Sequence, residues 1–411
     1  MAPRLFRTAP ANHPPRHGKL RRAFGLAPAL CAVLCACGLL ASCSVSDAVN
    51  IARVANGDTG AAVDLARNKA VHYATNPSAI MADYRRFKNI LATFRRAVGG
   101  TWGQGDAREA RPKEYVKYTN NYLSRASVDF EGGRIVVETL DQETPHKSLR
   151  EAIVTTLLTP YDPRAVDMYS SGPVKLGGTP FLLGEVKDPA GKDIRTEAQA
   201  ETVARLVMES GVDERPSDIP GKTVHFVVIP LVAEHMYVRA AKFKPLVEEA
   251  AKRFDVPRTL IYAIIRVESD FNPYAINGVP AVGLMQIVPQ TAGAEVRGYL
   301  EGKRGEPTKA FLFEPENNVM YGTAYLKLLD TKHLSAVADP VSREYCVIAS
   351  YNGGSGALLR TFDRDRGKAL SAINGRSPMA VYETITQSHA AEETRQYLKK
   401  VLAAKKQFIG M

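Results

Sequence analysis

The stretch Arg258-Thr259-Leu260-Ile261-Tyr262-Ala263-Ile264-Ile265-Arg266-Val267-Glu268-Ser269 decides how the second half of this chain is read. Ile261, Ile264 and Ile265 fall on one helical stripe, and Glu268 lies seven, four and three residues beyond them on the same stripe. A carboxylate therefore continues an apolar face. Asp270 follows Arg266 by four and is expected to share a more exposed face with it, so Glu268 and Asp270 do not make a facing pair. Glu268 also occupies the last turn before Asn272-Pro273, where the negative end of the helix dipole and partial burial both disfavour ionisation. Both effects raise its pKa, as a general acid working near neutrality requires. Periodicity alone leaves a plainer alternative open, a buried Glu paired with a basic residue.

Working outward, strand signals cease after about Tyr237, and helical segments follow one another between Pro257, Pro273, Pro280, Pro289, Pro315 and Gly353-Gly354. Residues 237–411 read as an all-helical domain, entered through a single helix over Tyr237 to Phe254. Upstream, Ile80, Tyr84, Phe87, Leu91, Phe94 and Val98 predict an amphipathic helix that begins after Asn76-Pro77 and stops at Gly99-Gly100. Ala126, Val128 and Phe130, a turn at Glu131-Gly132-Gly133, and Ile135, Val137 and Thr139 predict a hairpin. Helices around Leu149 to Leu158 and Glu197 to Glu209 and a β-rich run from Val224 to Ile229 complete a mixed unit over residues 78–236. The fold class is α+β, a mixed N-terminal domain followed by a helical one.

The text around Glu268 carries more. Glu268-Ser269-Asp270-Phe271-Asn272-Pro273-Tyr274-Ala275, Gly283-Leu284-Met285-Gln286-Ile287, Pro289-Gln290-Thr291-Ala292 and Ala349-Ser350-Tyr351-Asn352-Gly353-Gly354 resemble, in order, the motifs of the lysozyme-like lytic transglycosylases. Glu393-Thr394-Arg395-Gln396-Tyr397-Leu398 resembles that family's closing motif, and the likeness extends upstream through Tyr115-Val116-Lys117-Tyr118 and the hairpin. It implies a lysozyme-like catalytic domain acting on the glycan strands of peptidoglycan, with Glu268 as acid and base. Met285 and Gln286 would line the glycan groove, Tyr351 and Asn352 would stand beside the scissile bond, and Glu393 and Tyr397 would brace the site. Asn277 and Pro280 stand where the family often has Ser and Gly, which leaves Asn277 as a weaker substrate contact. The residue types suit these roles: Gly283 would let backbone approach a sugar, Gln286 and Asn352 can bond acetamido and hydroxyl groups, and Tyr351 offers a ring face with a polar tip.

Residues 1–42 read as an address. A basic, Pro-rich start is followed by an apolar run from about Leu26 to Leu40, too short for a lasting membrane span. Leu40-Ala41-Ser42-Cys43 resembles the lipobox of bacterial lipoproteins, which implies a lipid on Cys43 and a tether over residues 43–77; Ser44, rather than Asp, implies the outer membrane, with the protein facing the periplasm. Arg21-Arg22-Ala23-Phe24 bears only a faint likeness to a twin-arginine signal. Cys31, Cys35 and Cys37 lie inside the apolar run, so only Cys346 remains beyond Cys43, and no disulfide framework is expected. Cys346, in an apolar stretch, is expected to be a buried free thiol.

Charge narrows the partners. The formal net charge is +11, but Arg4, Arg7, Arg16, Lys19, Arg21 and Arg22 fall in the first 42 residues, which hold no acid; without them the excess is +5, too mild to argue for nucleic acid. Gly354-Ser355-Gly356 does not complete a Gly-x-Ser-x-Gly elbow because Ala357 takes the final place counted from Gly353. The eight His residues are scattered and His-Glu-x-x-His is absent, so neither a metal nor a cofactor is expected. Glycosidases ordinarily use two carboxyl groups, and none stands beside Glu268 in sequence, although an acid from a distant segment could fold in. With one Glu, the substrate's own N-acetyl group can assist, and closure of the C6 hydroxyl on C1 gives a 1,6-anhydro end, as the resemblance implies. Hydrolysis of the lysozyme kind and a noncatalytic glycan-binding lipoprotein are the competing readings. On the favoured one, residues from about 45 to 236 position the catalytic domain without supplying an essential catalytic group, and a fragment starting near Tyr237 folds and works alone.

Overall fold

The computed structural model describes residues 77–276 and 281–411, with side chains described from residue 89 onward. All of them belong to one compact unit. The predicted lipid site Cys43, the leader and the substrate contact Asn277 lie outside the described residues.

Five antiparallel strands form the N-terminal sheet: β1 (Glu114–Thr119), β2 (Ser124–Asp129), β3 (Arg134–Thr139), β4 (Asp213–Pro216) and β5 (Thr223–Pro230), in the order β1-β2-β3-β5-β4. The expected hairpin is present, with Ala126 opposite Val137 and Val128 opposite Ile135, and Gly133 at φ +64° supplies the left-handed turn residue. Strand alternation sends Tyr115, Val128, Ile135 and Val227 to one face, where they pack on α2 (Pro145–Leu157) and α3 (Glu197–Glu209). Val116, Tyr118 and Val224 go to the other face, against Leu91, Phe94, Val98 and Trp102 of α1 (Pro77–Trp102). Helix α1 runs through Gly99-Gly100, where a stop was expected. Trp102 continues its apolar stripe, is fully buried, and donates Nε1–H to the Tyr122 carbonyl at 2.6 Å, and the helix ends only at Gly103, φ +84°.

The second region is helical, as expected: α4 (His235–Lys242), α5 (Lys244–Phe254), α6 (Arg258–Glu268), α7 (Ala294–Glu301), α8 (Lys309–Phe313), α9 (Pro315–Leu328), α10 (Pro340–Gly353), α11 (Ser355–Arg360), α12 (Arg366–Asn374), α13 (Pro378–Ser388) and α14 (Glu392–Gln407). The single helix expected over Tyr237 to Phe254 is broken at Phe243, because Pro245 lacks the N–H that would continue the ladder and instead opens α5. Helix α6 is buried along Leu260 to Ile265 and packs on α14 and α5. Cys346 is a fully buried free thiol inside this core, its pKa pushed up to about 12 by burial.

The two regions share a core. Tyr274 and Ile276, from the turn after α6, join the apolar cluster of the sheet and α2, and Tyr274 sets its ring edge against Tyr115 and Phe181 with centroids 5.1 and 5.3 Å away. Its hydroxyl donates to the Pro160 carbonyl. A buried ion network adds to this. Arg239 on α4, 1% exposed, donates to Glu185 Oε2 at 2.5 Å, to the Phe130 carbonyl at 3.1 Å and to the Asp270 carbonyl at 2.9 Å. Lys242 reaches the other Glu185 oxygen at 2.6 Å. Removing one partner from such a network strands buried charge, which costs several times more than a surface pair.

Candidate active site

Glu268 ends α6, held where Ser269 caps the helix and donates its hydroxyl to the Leu284 carbonyl at 2.7 Å. Its side chain is partly open to solvent yet densely surrounded. Tyr397 of α14 donates its hydroxyl to Glu268 Oε1 at 2.6 Å. The Glu268 carboxyl is raised from 4.5 to about 7, chiefly by burial. Glu393 pushes the same way, while the Tyr397 hydroxyl and the Lys113 ammonium oppose the rise. Tyr351 and Tyr397 are themselves raised well above 10, first by burial and then by the Glu268 charge, so both are hydrogen-bond donors at any working pH. Folding thus does bring a second carboxylate, Glu393, to bear on Glu268.

The chain turns sharply just past the acid. Asp270 and Phe271 have φ of +54° and +59°, a left-handed pair that non-glycine residues adopt at a cost of about 1–3 kcal/mol each. Asp270 was expected beside Arg266 on an exposed face. The ion pair with Arg266 exists, but Asp270 is fully buried, because the chain leaves the helix at Ser269 and swings the carboxylate toward Arg239, 3.4 Å away. Asn272 locks the next step: its Oδ1 accepts from Tyr274 N–H at 3.0 Å and its amide donates to the Pro112 carbonyl at 2.9 Å. The turn that presents Glu268 therefore draws part of its restraint from the N-terminal region, through Pro112 at Asn272 and Pro160 at Tyr274.

Tyr351 and Asn352 sit at the end of α10 and meet the acid's surroundings from the opposite side. Tyr351 donates its hydroxyl to the Met285 carbonyl at 2.9 Å. Asn352 donates to Glu393 at 3.1 Å and accepts from the Thr394 hydroxyl at 2.7 Å, so its amide is committed to the start of α14. The bracing residues Tyr397 and Glu393 are brought together with Glu268 and Asn352.

One sequence reading changes and two gain a structural reason. Met285 is fully buried in the core, and a Cβ on Gly322 would meet its sulfur at 2.4 Å, so its side chain supports the site from behind rather than lining a groove; its backbone holds Tyr351 through the carbonyl and Asn318 through the N–H. Gly283, at φ +75°, is required by the fold itself, because a Cβ there would lie 2.3 Å from Asn318 Nδ2. Gln286 spends its amide N–H on the Gly283 carbonyl at 2.8 Å, which leaves its buried Oε1 without a hydrogen-bond partner. Residues that sequence reasoning passed over are Thr394, Asn318, Arg239, Glu185 and Lys113. The first lies inside a quoted motif, but nothing in the spacing ties the other four to Glu268. Among the described residues no group of three or more His, Cys, Asp or Glu side chains comes together as a metal site, and no helix is long and apolar enough to cross a membrane.

Comparison with known proteins gives the chain its family. Residues 80–242 match the model of the N-terminal domain of membrane-bound lytic murein transglycosylase C, and residues 245–374 match the transglycosylase SLT domain. The membrane-bound lytic murein transglycosylase C of Serratia proteamaculans (strain 568) is 40% identical over 331 residues, covering 80% of this chain and 92% of that protein. Its counterpart from Yersinia pestis (strain Pestoides F) is 41% identical over 327 residues, covering 79% and 90%. Among solved structures, the 70 kDa soluble lytic transglycosylase of Escherichia coli is 28% identical, with a TM-score of 0.32 over 41% of this chain and 24% of that one. The chain is thus an enzyme of the lytic transglycosylase class. Within that class it belongs to the family of membrane-bound lytic murein transglycosylase C.

Proposed function

We propose that the protein cleaves the β-1,4 bond between N-acetylmuramic acid and N-acetylglucosamine in peptidoglycan without water, leaving a 1,6-anhydromuramic acid end, with Glu268 as the single acid and base. The observation that carries this reading is the Glu268 carboxyl, raised to about 7 and held by Tyr397 at 2.6 Å: near neutrality it can both deliver a proton and take one back.

In the first step the Glu268 proton passes to the glycosidic oxygen, the C1–O bond breaks, and the leaving sugar departs with a free C4 hydroxyl. The acetamido oxygen of the muramic acid closes on C1 and holds the developing charge, the substrate-assisted course in which a second protein carboxylate is not needed. In the second step the Glu268 carboxylate removes the C6 hydroxyl proton. O6 then attacks C1 and displaces the acetamido oxygen, and the acid is regenerated. Gln286 Oε1 and the Tyr351 ring are proposed to contact the glycan, Asn352, Glu393 and Tyr397 to hold the acid's surroundings, and Asn277 to add a contact. Residues 43–77 are proposed as a tether from a lipid on Cys43 in the outer membrane, residues 78–236 as a positioning domain and residues 237–411 as the catalytic domain.

Glu393 keeps hydrolysis as the second reading, since a second carboxylate could activate water. Mass spectrometry of digested cell wall separates the two, because an anhydro end is one water lighter than a reducing end. Anhydro ends from the wild type and their loss by several orders of magnitude in Glu268→Gln are expected. Reducing ends would establish the hydrolytic reading, and cleavage by Glu268→Gln at more than about a tenth of the wild-type rate would remove Glu268 from its role.

A further inference from the structure

Three charged or titratable groups act on Glu268. Two, Tyr397 and Glu393, come from α14 in the helical region. The third, Lys113, comes from the N-terminal region, and it is the only cation among them. Its position is fixed by backbone as well as by charge. The Pro112 carbonyl accepts from Asn272 at 2.9 Å, which presses the segment before β1 onto the turn that follows the acid. The Lys113 carbonyl accepts from Phe130 N–H at 3.2 Å, and the Phe130 carbonyl in turn accepts from Arg239. The Lys113 ammonium is partly exposed and makes a 3.2 Å ion pair with Glu131, whose own side chain is 65% exposed. Surface pairs of that kind neutralise a Lys only weakly, so most of its field remains available.

We propose that Lys113 is a positioning residue of the active site, whose ammonium stabilises the carboxylate that Glu268 becomes once its proton has passed to the glycosidic oxygen. This rests on Glu268 being the acid and base. Loss of that proton leaves a negative charge in a densely packed site beside Glu393, which repels it. A cation that acts on the carboxylate offsets that repulsion in the first step, when the charge appears. Glu393 acts in the opposite sense in the second step, when the carboxylate must take a proton from the C6 hydroxyl. The two charges, carried by different regions of the chain, hold the acid between its two tasks. The N-terminal region then supplies part of the electrostatics of catalysis, beyond the positioning expected of it from sequence.

The test is the pH profile of anhydro-product formation from purified glycan strands by the full chain. Lys113→Met is expected to lower kcat on the order of fivefold and to move the limb on which activity falls with rising pH to higher pH, because the carboxylate has lost its cation. Lys113→Arg should restore both. Glu131→Gln, which frees the Lys113 ammonium from its partner, should move the same limb the other way. An unchanged profile in Lys113→Met, with melting temperature preserved, would overturn the proposal. So would a rise in KM alone, which would mark Lys113 as a contact for substrate anions that does not act through Glu268. If Lys113→Met is unstable, the Glu131→Gln shift decides, and its absence counts against the proposal. Failure of the Glu268 reading is distinguishable, since Glu268→Gln would then stay active whatever Lys113 does.

Discussion

Replacing Glu268 by Gln should inactivate the enzyme and, above neutral pH, stabilise it. The carboxyl is raised from 4.5 to about 7 by burial, so the folded protein holds its proton more tightly than the unfolded chain does. Stability then falls as pH rises: the penalty is absent below about 4.5, grows between 4.5 and about 7, and is complete above that. The size of the displacement corresponds to about 3 kcal/mol as an upper figure, because the group keeps some access to solvent. Gln has the same shape, has no proton to lose, and its Oε1 can still accept from Tyr397. In a chain of this size the gain is worth roughly 4 °C in melting temperature. The assay is thermal unfolding of both proteins at pH 4.5 and pH 8, with Glu268→Gln expected to melt higher only at the upper pH. An equal offset at both values, or none at pH 8, would refute the reasoning, because burial would not then be what raises the acid.

Glu185→Ala should cost about 3–5 kcal/mol in denaturant unfolding, since it leaves Arg239 and Lys242 buried without their shared carboxylate. A fragment starting at Tyr237 is expected to be unstable and inactive, because Arg239, Asn272 and Tyr274 lose partners at Phe130, Glu185, Pro112 and Pro160; a cooperative melt of that fragment would show otherwise. Cys43→Ser should release the protein from the membrane fraction, and the same fractionation in wild type and variant, with no acyl chain by mass spectrometry, would reject the anchor.

What could be read in the sequence was what lies within one helix or one hairpin. The stripe Ile261, Ile264, Ile265, Glu268 fixes a local period, and the hairpin around Gly132-Gly133 fixes its own register, so both are found where spacing places them. Tyr397 was reached only through a motif, since its 129-residue separation from Glu268 leaves no periodic trace. The misreadings at the site share one cause. Asp270, Met285 and Gly283 were judged by their neighbours in sequence, while their burial is decided by Arg239, Gly322 and Asn318, which arrive from other elements. Lys113 was silent for the same reason: one Lys before a strand looks like a solvated edge until Pro112 is seen against Asn272.

The turn after Glu268 also bears on the order in which the molecule comes together. Its restraints span long stretches of chain, 160 residues from Asn272 to Pro112 and 114 from Tyr274 to Pro160, and the closure of Tyr397 on Glu268 spans 129. Contacts of such separation form late, because the entropy of closing the loop must be met before they contribute. Until the sheet has docked, Asp270 and Phe271 keep Arg266, Phe243, Tyr262 and Phe408 as partners, but the turn lacks its restraints at Pro112 and Pro160. A chain whose sheet has not yet docked is therefore expected to present Glu268, the proposed acid, on a turn that still lacks its N-terminal restraints.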